Sequence, residues 1–365
     1  MGLGRPERCL RRSILKNSSE KRVYRDMSAT PLIRFLCCVA FGTCFAEQAL
    51  AGTAAFSPDG AHVFLADWER LVDVDLVARK ATRVPLDISK QLRTVAGAPD
   101  GLLIVTDNAL FQLDYQTRKC RRVCAAPAGM DLHDAAFDPL SQIIFLCCYS
   151  KNSDSNADCL FFLKKGATKP EVVRSRRVRY VDAPVFSRLG ELFFSTDGDI
   201  WKGKVELADG YPSLTGERIA PVATRETVNG TPGQMGALEL AVAGNKIFSC
   251  VRRMGGSGWG RVVSLKRPVE PPANDAKKSS AVEESPSSQL DLVTATYLSE
   301  LSSLHNYGEN GGLPGFLCAT SDEKKVFFVT KRAKSENSEL VSRDFWLIEN
   351  GSEPKQIEID LTAIH

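Results

Sequence analysis

The chain has 365 residues, 25% of them charged and 43% apolar, with a formal net charge of +3. That composition is globular and long enough for one large core or two smaller ones. Nine basic residues against four acidic ones crowd into residues 1–51 and leave the rest close to neutral, so the body lacks the concentrated basic face that nucleic-acid binding demands.

In chain order, residues 1–26 form a basic extension without apolar periodicity, and translation from Met27 is expected. Residues 27–51 have the layout of a signal peptide. Arg34 precedes an apolar run, Phe35–Ala46, and Ala49-Leu50-Ala51 is a small-x-small cleavage pattern before Gly52. The run is too short to span a bilayer. A periplasmic or secreted protein with no transmembrane span after signal removal is expected, residues 52–365 forming one domain.

From Ala54 the chain repeats itself. Ala54–Asp67, Leu71–Asp75 and Ala81–Val84 align with Val95–Asp107, Leu110–Asp114 and Cys120–Val123. Each unit predicts four short strands: one ending in Pro-Asp-Gly (Pro58-Asp59-Gly60, Pro99-Asp100-Gly101), an apolar strand, an alternating strand and a polar outer strand. Proline presets φ in such a turn, Asp bonds its own backbone and Gly supplies positive φ. Fainter copies start at Ala135, Pro184, Leu238 and Phe316. No sustained 3.6-residue period marks a major helix. The fold class expected is all-β, a β-propeller of about six four-stranded blades, because one blade cannot bury its faces and a ring of blades can. Pro268–Ser288 carries four prolines among Lys, Ser, Glu and Ala and is expected to be a disordered loop on the rim of the fifth blade. A split into two domains there is the alternative.

Phe56-Ser-Pro-Asp-Gly60 followed by Val63–Ala66, with echoes at Ala98–Gly101 and Phe186-Ser187, resembles the repeat of TolB-type β-propellers. The resemblance covers three or four units. It implies a periplasmic, non-catalytic propeller that binds protein partners, although the additional N-terminal α/β domain of TolB has no counterpart ahead of the first repeat.

Propeller ligands bind where inner strands converge. The polar residues expected just ahead of those strands are His133, Asp134, Asp182, Glu239, His305 and Asn306. Carboxylates around a channel mouth could hold calcium, which takes six to eight oxygens, as in lactonase-type propellers of the senescence-marker class. The other reading is that they cap turns or line a hydrated channel. Trp68 and Trp259 are candidate surface contacts. Gly255–Gly260 lacks the Lys and helix of a phosphate loop, and no Gly-x-Ser-x-Gly elbow is present. Arg174–Arg179 is a basic connector or an anionic contact. The cysteines lack the even spacing of a disulfide framework and read as core fillers. The functional expectation is an exported, monomeric, non-catalytic scaffold for a protein or cell-envelope partner, without a cofactor. The alternative is a metal-dependent, lactonase-like or sugar hydrolase with calcium in the channel, and a sugar- or peptide-binding module is a third reading.

Overall fold

A computed structural model describes residues 53–67, 70–88, 91–151, 159–175, 178, 181–208, 211–222, 225–228, 231–254, 260–268, 291–296, 315–332 and 342–364. They form six antiparallel sheets. The first has strands β1 (Thr53–Phe56), β2 (His62–Asp67), β3 (Arg70–Asp75) and β4 (Lys80–Val84). The second has β5 (Leu92–Ala98), β6 (Gly101–Thr106), β7 (Ala109–Leu113) and β8 (Cys120–Ala125). The third has β9 (Met130–Asp138), β10 (Ile143–Ser150), β11 (Cys159–Lys164) and β12 (Glu171–Ser175), and the fourth β13 (Asp182–Phe186), β14 (Leu192–Thr196), β15 (Asp199–Ala208) and β16 (Tyr211–Ala220). In the fifth, β17 (Arg225–Val228) pairs with the start of β18 (Thr231–Ala243), followed by β19 (Lys246–Met254), β20 (Gly260–Lys266) and β21 (Asp291–Thr296). The sixth has β22 (Gly315–Ala319), β23 (Lys325–Arg332), β24 (Ser342–Glu349) and β25 (Lys355–Ile357), and the chain ends on β26 (Asp360–Ala363).

The inner strands β1, β5, β9, β13, β18 and β22 contact one another in that order, and β22 returns to β1. This closure makes the architecture a six-bladed β-propeller. The middle strands are covered on both faces, so they need apolar residues throughout rather than alternation. In β6 every residue from Gly101 to Thr106 is buried. Leu102 and Ile104 pack toward the first blade, and Leu103 and Val105 toward the third. Six apolar clusters result, one for each junction between neighbouring blades. The cysteines serve them: neighbouring Cys147 and Cys148 point to opposite faces of β10 and join different clusters, and both are free thiols.

The turns repeat more faithfully than the letters do. Ser57 Oγ donates to Asp59 Oδ1 at 2.5 Å and accepts from the His62 amide at 3.0 Å, with Gly60 at φ +67°. Thr320 and Asp322 make the same contacts at 2.6 Å and, to the Lys325 amide, 3.0 Å, and Glu323 takes the positive φ at +59°. In each turn the hydroxyl hydrogen bond comes first among the causes that hold the Asp carboxyl below its usual range. Glycine is required for space at Gly101, where a Cβ would lie 2.5 Å from the carbonyl oxygen of Leu113.

Two pairings knit blades along their outer rims. Radial symmetry makes outer strands of neighbouring blades run the same way, so they pair in parallel. β12 pairs with β16, fusing blades three and four into one eight-stranded sheet. β26 continues from the sixth blade onto β4 of the first, where the Asp360 amide donates to the Arg79 carbonyl at 2.8 Å. Leu361 and Ile364 pack on the cluster between those blades.

The structure moves several expected elements. The fifth inner strand starts at Thr231 instead of Leu238, and β17 is an additional strand. The fourth blade's outer half is a ten-residue hairpin pair, β15 and β16, and β26 follows where the expected strand Gln356–Ile359 ends early, at Ile357. Arg174 belongs to β12 instead of a connector. Residues 1–26, the expected leader 27–51 and most of 268–288 lie outside the described residues. No described helix is long and apolar enough to cross a membrane.

Gly101→Ala should cost about 3 kcal/mol, because backbone must shift to admit the methyl group. Gly129→Ala, at φ +76° but with nothing within 4 Å, should cost only about 1 kcal/mol. Urea denaturation of both variants checks the difference.

Candidate functional site

The inner strands owe their axial geometry to bulges. Pairing registers shift at Leu92/Thr94 in β5, beside His133 in β9, between Asp182 and Val185 in β13, between Ala237 and Glu239 in β18, and between Gly315 and Cys318 in β22. A bulge re-aims side chains and frees backbone groups from the ladder. A buried amide so freed needs another acceptor.

Asp134 and Glu239 supply acceptors. Asp134 Oδ1 accepts from the Ala135 amide at 2.8 Å, and Oδ2 accepts at 3.1 Å from the amide of Ala183 on the next blade, a bulge residue at φ +47°. Glu239 Oε2 accepts from the Leu317 amide on the sixth blade at 2.7 Å. Other junctions use equivalent bonds: Val95 N–H to Thr53 Oγ1 at 2.8 Å, Leu132 N–H to the Asp107 carbonyl at 2.9 Å, and Ser195 Oγ to the Ala237 carbonyl at 2.7 Å. Asp134 is 9% and Glu239 5% exposed, so neither carboxylate is presented to solvent. Burial is the first cause lifting the Asp134 carboxyl to about 7, with the Asp182 charge adding to it and the two amides opposing it. Burial and then the Glu239 charge push the Cys318 thiol well up.

A second polar set lies at the end of the ring where the inner strands begin. The His133 ring meets Tyr149 at a centroid distance of 4.5 Å and an angle of 56°. The Tyr149 hydroxyl donates to Asp182 Oδ1 on the next blade at 2.6 Å. Arg93, in the β5 bulge, donates from Nε to Asp107 Oδ1 at 2.5 Å, and Lys151 pairs with Asp131 at 2.9 Å. His133 Nδ1 is buried without a hydrogen-bond partner. Burial leads in lowering its pKa, opposed by the charge of Asp182, so the imidazole is neutral at neutral pH.

At the opposite end, Arg267 joins three blades. Its guanidinium donates to Glu191 of the fourth blade from Nε at 2.7 Å and also from Nη2, and to Glu323 Oε2 of the sixth from Nη1 at 3.1 Å. Lys202 reaches Glu191 Oε1 at 3.0 Å, and Glu323 Oε1 accepts from the Arg188 amide at 2.7 Å. Burial raises the Glu191 carboxyl, but Arg267 and Lys202 outweigh it and hold the group below its usual range.

The structure therefore separates the expected mouth residues. The four that are described, His133, Asp134, Asp182 and Glu239, lie within the inner strands rather than ahead of them. His133 and Asp182 meet through Tyr149. Asp134 serves the junction to the fourth blade and Glu239 the junction to the sixth. Among the described residues no three His, Cys, Asp or Glu side chains converge as metal ligands. His305, Asn306, Trp68 and Trp259 lie outside the described residues. Sequence reasoning missed Tyr149, Arg93, Asp107 and the Arg267 hub. Arg267 did leave a trace, as the second cation of a Lys266-Arg267 pair between an apolar strand and Pro268.

No protein-family model and no curated protein sequence matches the chain. Solved structures do. A luciferin-regenerating enzyme superposes with a TM-score of 0.52 at 8% identity, over 86% of this chain and 96% of its own. The calcium-binding protein regucalcin from Agrobacterium tumefaciens gives 0.47 at 13% identity, over 86% and 93%. A putative TolB from Agrobacterium tumefaciens gives 0.45 at 15%, over 60% and 77%. At 8% identity the first of these likenesses speaks for the propeller fold alone.

Glu239→Ala should cost about 2–3 kcal/mol more than Glu239→Gln, because only Ala leaves the Leu317 amide buried without this acceptor; equilibrium unfolding of the pair measures this. Asp134 adds a pH signature. Its folded pKa lies above the unfolded one, so the native state holds the proton more tightly and stability falls as pH rises between about 4 and about 7. Asp134→Asn cannot ionise and should lack that part of the fall, which amounts to roughly 4 kcal/mol in the wild type. Urea titrations across the window test it.

Proposed function

We propose that the chain is an exported, non-catalytic β-propeller that works as a monomeric binding scaffold for a protein of the periplasm or cell envelope, with a TolB-type repeat and no cofactor. The observation that carries this reading is how the axial acids are used. The Asp134 carboxylate accepts backbone amides on both oxygens, and Glu239 accepts a buried amide of the neighbouring blade. A lactonase-like calcium site requires carboxylate oxygens turned toward one point in the channel, and here these two are spent on junctions between different blades. The ring's surface is the part we assign to binding. A rigid ring with chemically distinct ends suits a scaffold, because preorganised surfaces lose little entropy on binding.

The expected leader adds the compartment. N-terminal mapping of the protein from its native cells should find a mature chain starting at Gly52. Cross-linking in intact cells should give a defined adduct with one envelope protein, calorimetric titration with calcium should give no binding heat, and lactone substrates should turn over no faster than in buffer. Saturable calcium binding together with lactone hydrolysis would replace the scaffold reading by the hydrolase one.

A further inference from the structure

The blades do not treat their outer edges alike. β4 carries β26, and β12 and β16 cover each other. Among the described residues β8, β21 and β25 have no strand on their free sides, and β8 is the outer strand of the second blade. An open edge offers unpaired amides and carbonyls to an incoming strand. Beside this edge, between the second and third blades, is a cleft of about 180 Å³. Its floor is apolar: Leu103 and Val123 come from the second blade, and Phe137, Ile144 and Leu163 from the third. Its rim is cationic, with Arg121 and Arg122 on β8, Lys164 at the end of β11 and Lys165 in the turn that follows.

The four cations are exposed. Lys165 pairs with Asp100 at 3.2 Å and Lys164 with Glu171 at 3.4 Å, pairs whose side chains are all more than half exposed and therefore contribute little. Arg121 donates only to the neutral Gln112, at 2.9 Å, and Arg122 makes no ion pair among the described residues. The positive rim is thus incompletely neutralised around an apolar floor.

We propose that this cleft docks an extended acidic segment of a partner protein, which adds as a strand to the free edge of β8. The segment places a bulky apolar side chain on the Val123–Phe137–Ile144 floor and presents Asp or Glu side chains to Arg121, Arg122, Lys164 and Lys165. Alternation follows from strand geometry, since neighbouring residues of an added strand point to opposite faces. Main-chain hydrogen bonds then provide affinity, and the side chains provide selectivity. The molecule already uses the device, because β26 adds in parallel to the corresponding strand of the first blade. This inference rests on the scaffold reading and specifies the partner's chemistry.

The test uses the full chain and a fluorescein-labelled peptide of alternating Glu and Val with a central Leu. Fluorescence anisotropy should show saturable binding that weakens at least about tenfold when salt rises from about 0.05 M to about 0.5 M. The double variant Arg122→Glu, Lys165→Glu should weaken binding by at least about tenfold with its melting temperature unchanged, since both side chains are exposed. N-methylation of alternate peptide amides should abolish binding. Equal binding of a peptide with Lys in place of Glu, or affinity unmoved by the charge reversal, would overturn the proposal. So would binding to anionic phosphatidylglycerol vesicles with none to the peptide, which would make the rim a membrane contact. If the cross-linked adduct with the envelope protein persists unchanged in the double variant, the cleft is refuted and the scaffold stands. If no adduct forms in the wild type either, both fail.

Discussion

Each middle strand of this molecule must satisfy two neighbours at once, and that constraint organises everything else. Leu102 and Ile104 face one blade and Leu103 and Val105 the next, so a substitution in β6 is felt at one junction or the other and never at the surface. Fully burying one such side chain is worth roughly 1.5–3 kcal/mol, and six apolar junctions repeat the gain around the ring. A net hydrogen bond contributes about 1 kcal/mol, so packing holds the ring together. The polar groups act differently. Once the bulges have freed amides inside the ring, leaving them unpaired would cost more than pairing them gains. Asp134, Glu239 and Thr53 therefore serve the fold by meeting demands that the bulges create.

This view explains why acids near the axis are weak evidence for a catalytic centre in a propeller. A carboxylate on an inner strand can look into the channel or reach sideways to the next blade, and only the second option relieves a bulge. Asp134 takes the sideways route at the expense of its own ionisation, which burial opposes. The His133–Tyr149–Asp182 set differs, because its contacts join side chains rather than freed amides, and it leaves Nδ1 of His133 without a partner.

The ring is also uneven, and the unevenness bears on function. Blades three and four are fused along their rim, and the first is closed by the last strand of the chain. At one end Arg267 binds blades four, five and six through two carboxylates. A buried cation so paired is costly to unpair, which stiffens that half. The second blade has neither device at its rim, and there the basic, apolar-floored cleft lies.

Strands and turns were legible because they depend on neighbours close in sequence. Apolar runs such as His62–Ala66 and Leu102–Thr106, punctuated by Pro-Asp-Gly, declare a doubly covered strand and its turn without reference to the rest of the chain. His133, Asp134, Asp182 and Glu239 were legible as polar residues near the inner strands, though the sequence put them ahead of the strands rather than in them. What each side chain does was not, because their partners Ala183, Tyr149 and Leu317 lie 16 to 78 residues away, and a one-residue bulge decides which of two faces a side chain takes. Arg267 illustrates the same limit: its partners Glu191 and Glu323 are 76 and 56 residues distant. Local pattern pointed to about six units, and the closure of the ring fixed the count at six. Only closure of the ring, which brings distant inner strands within hydrogen-bonding reach, decided which polar groups stabilise the junctions and which remain for a partner.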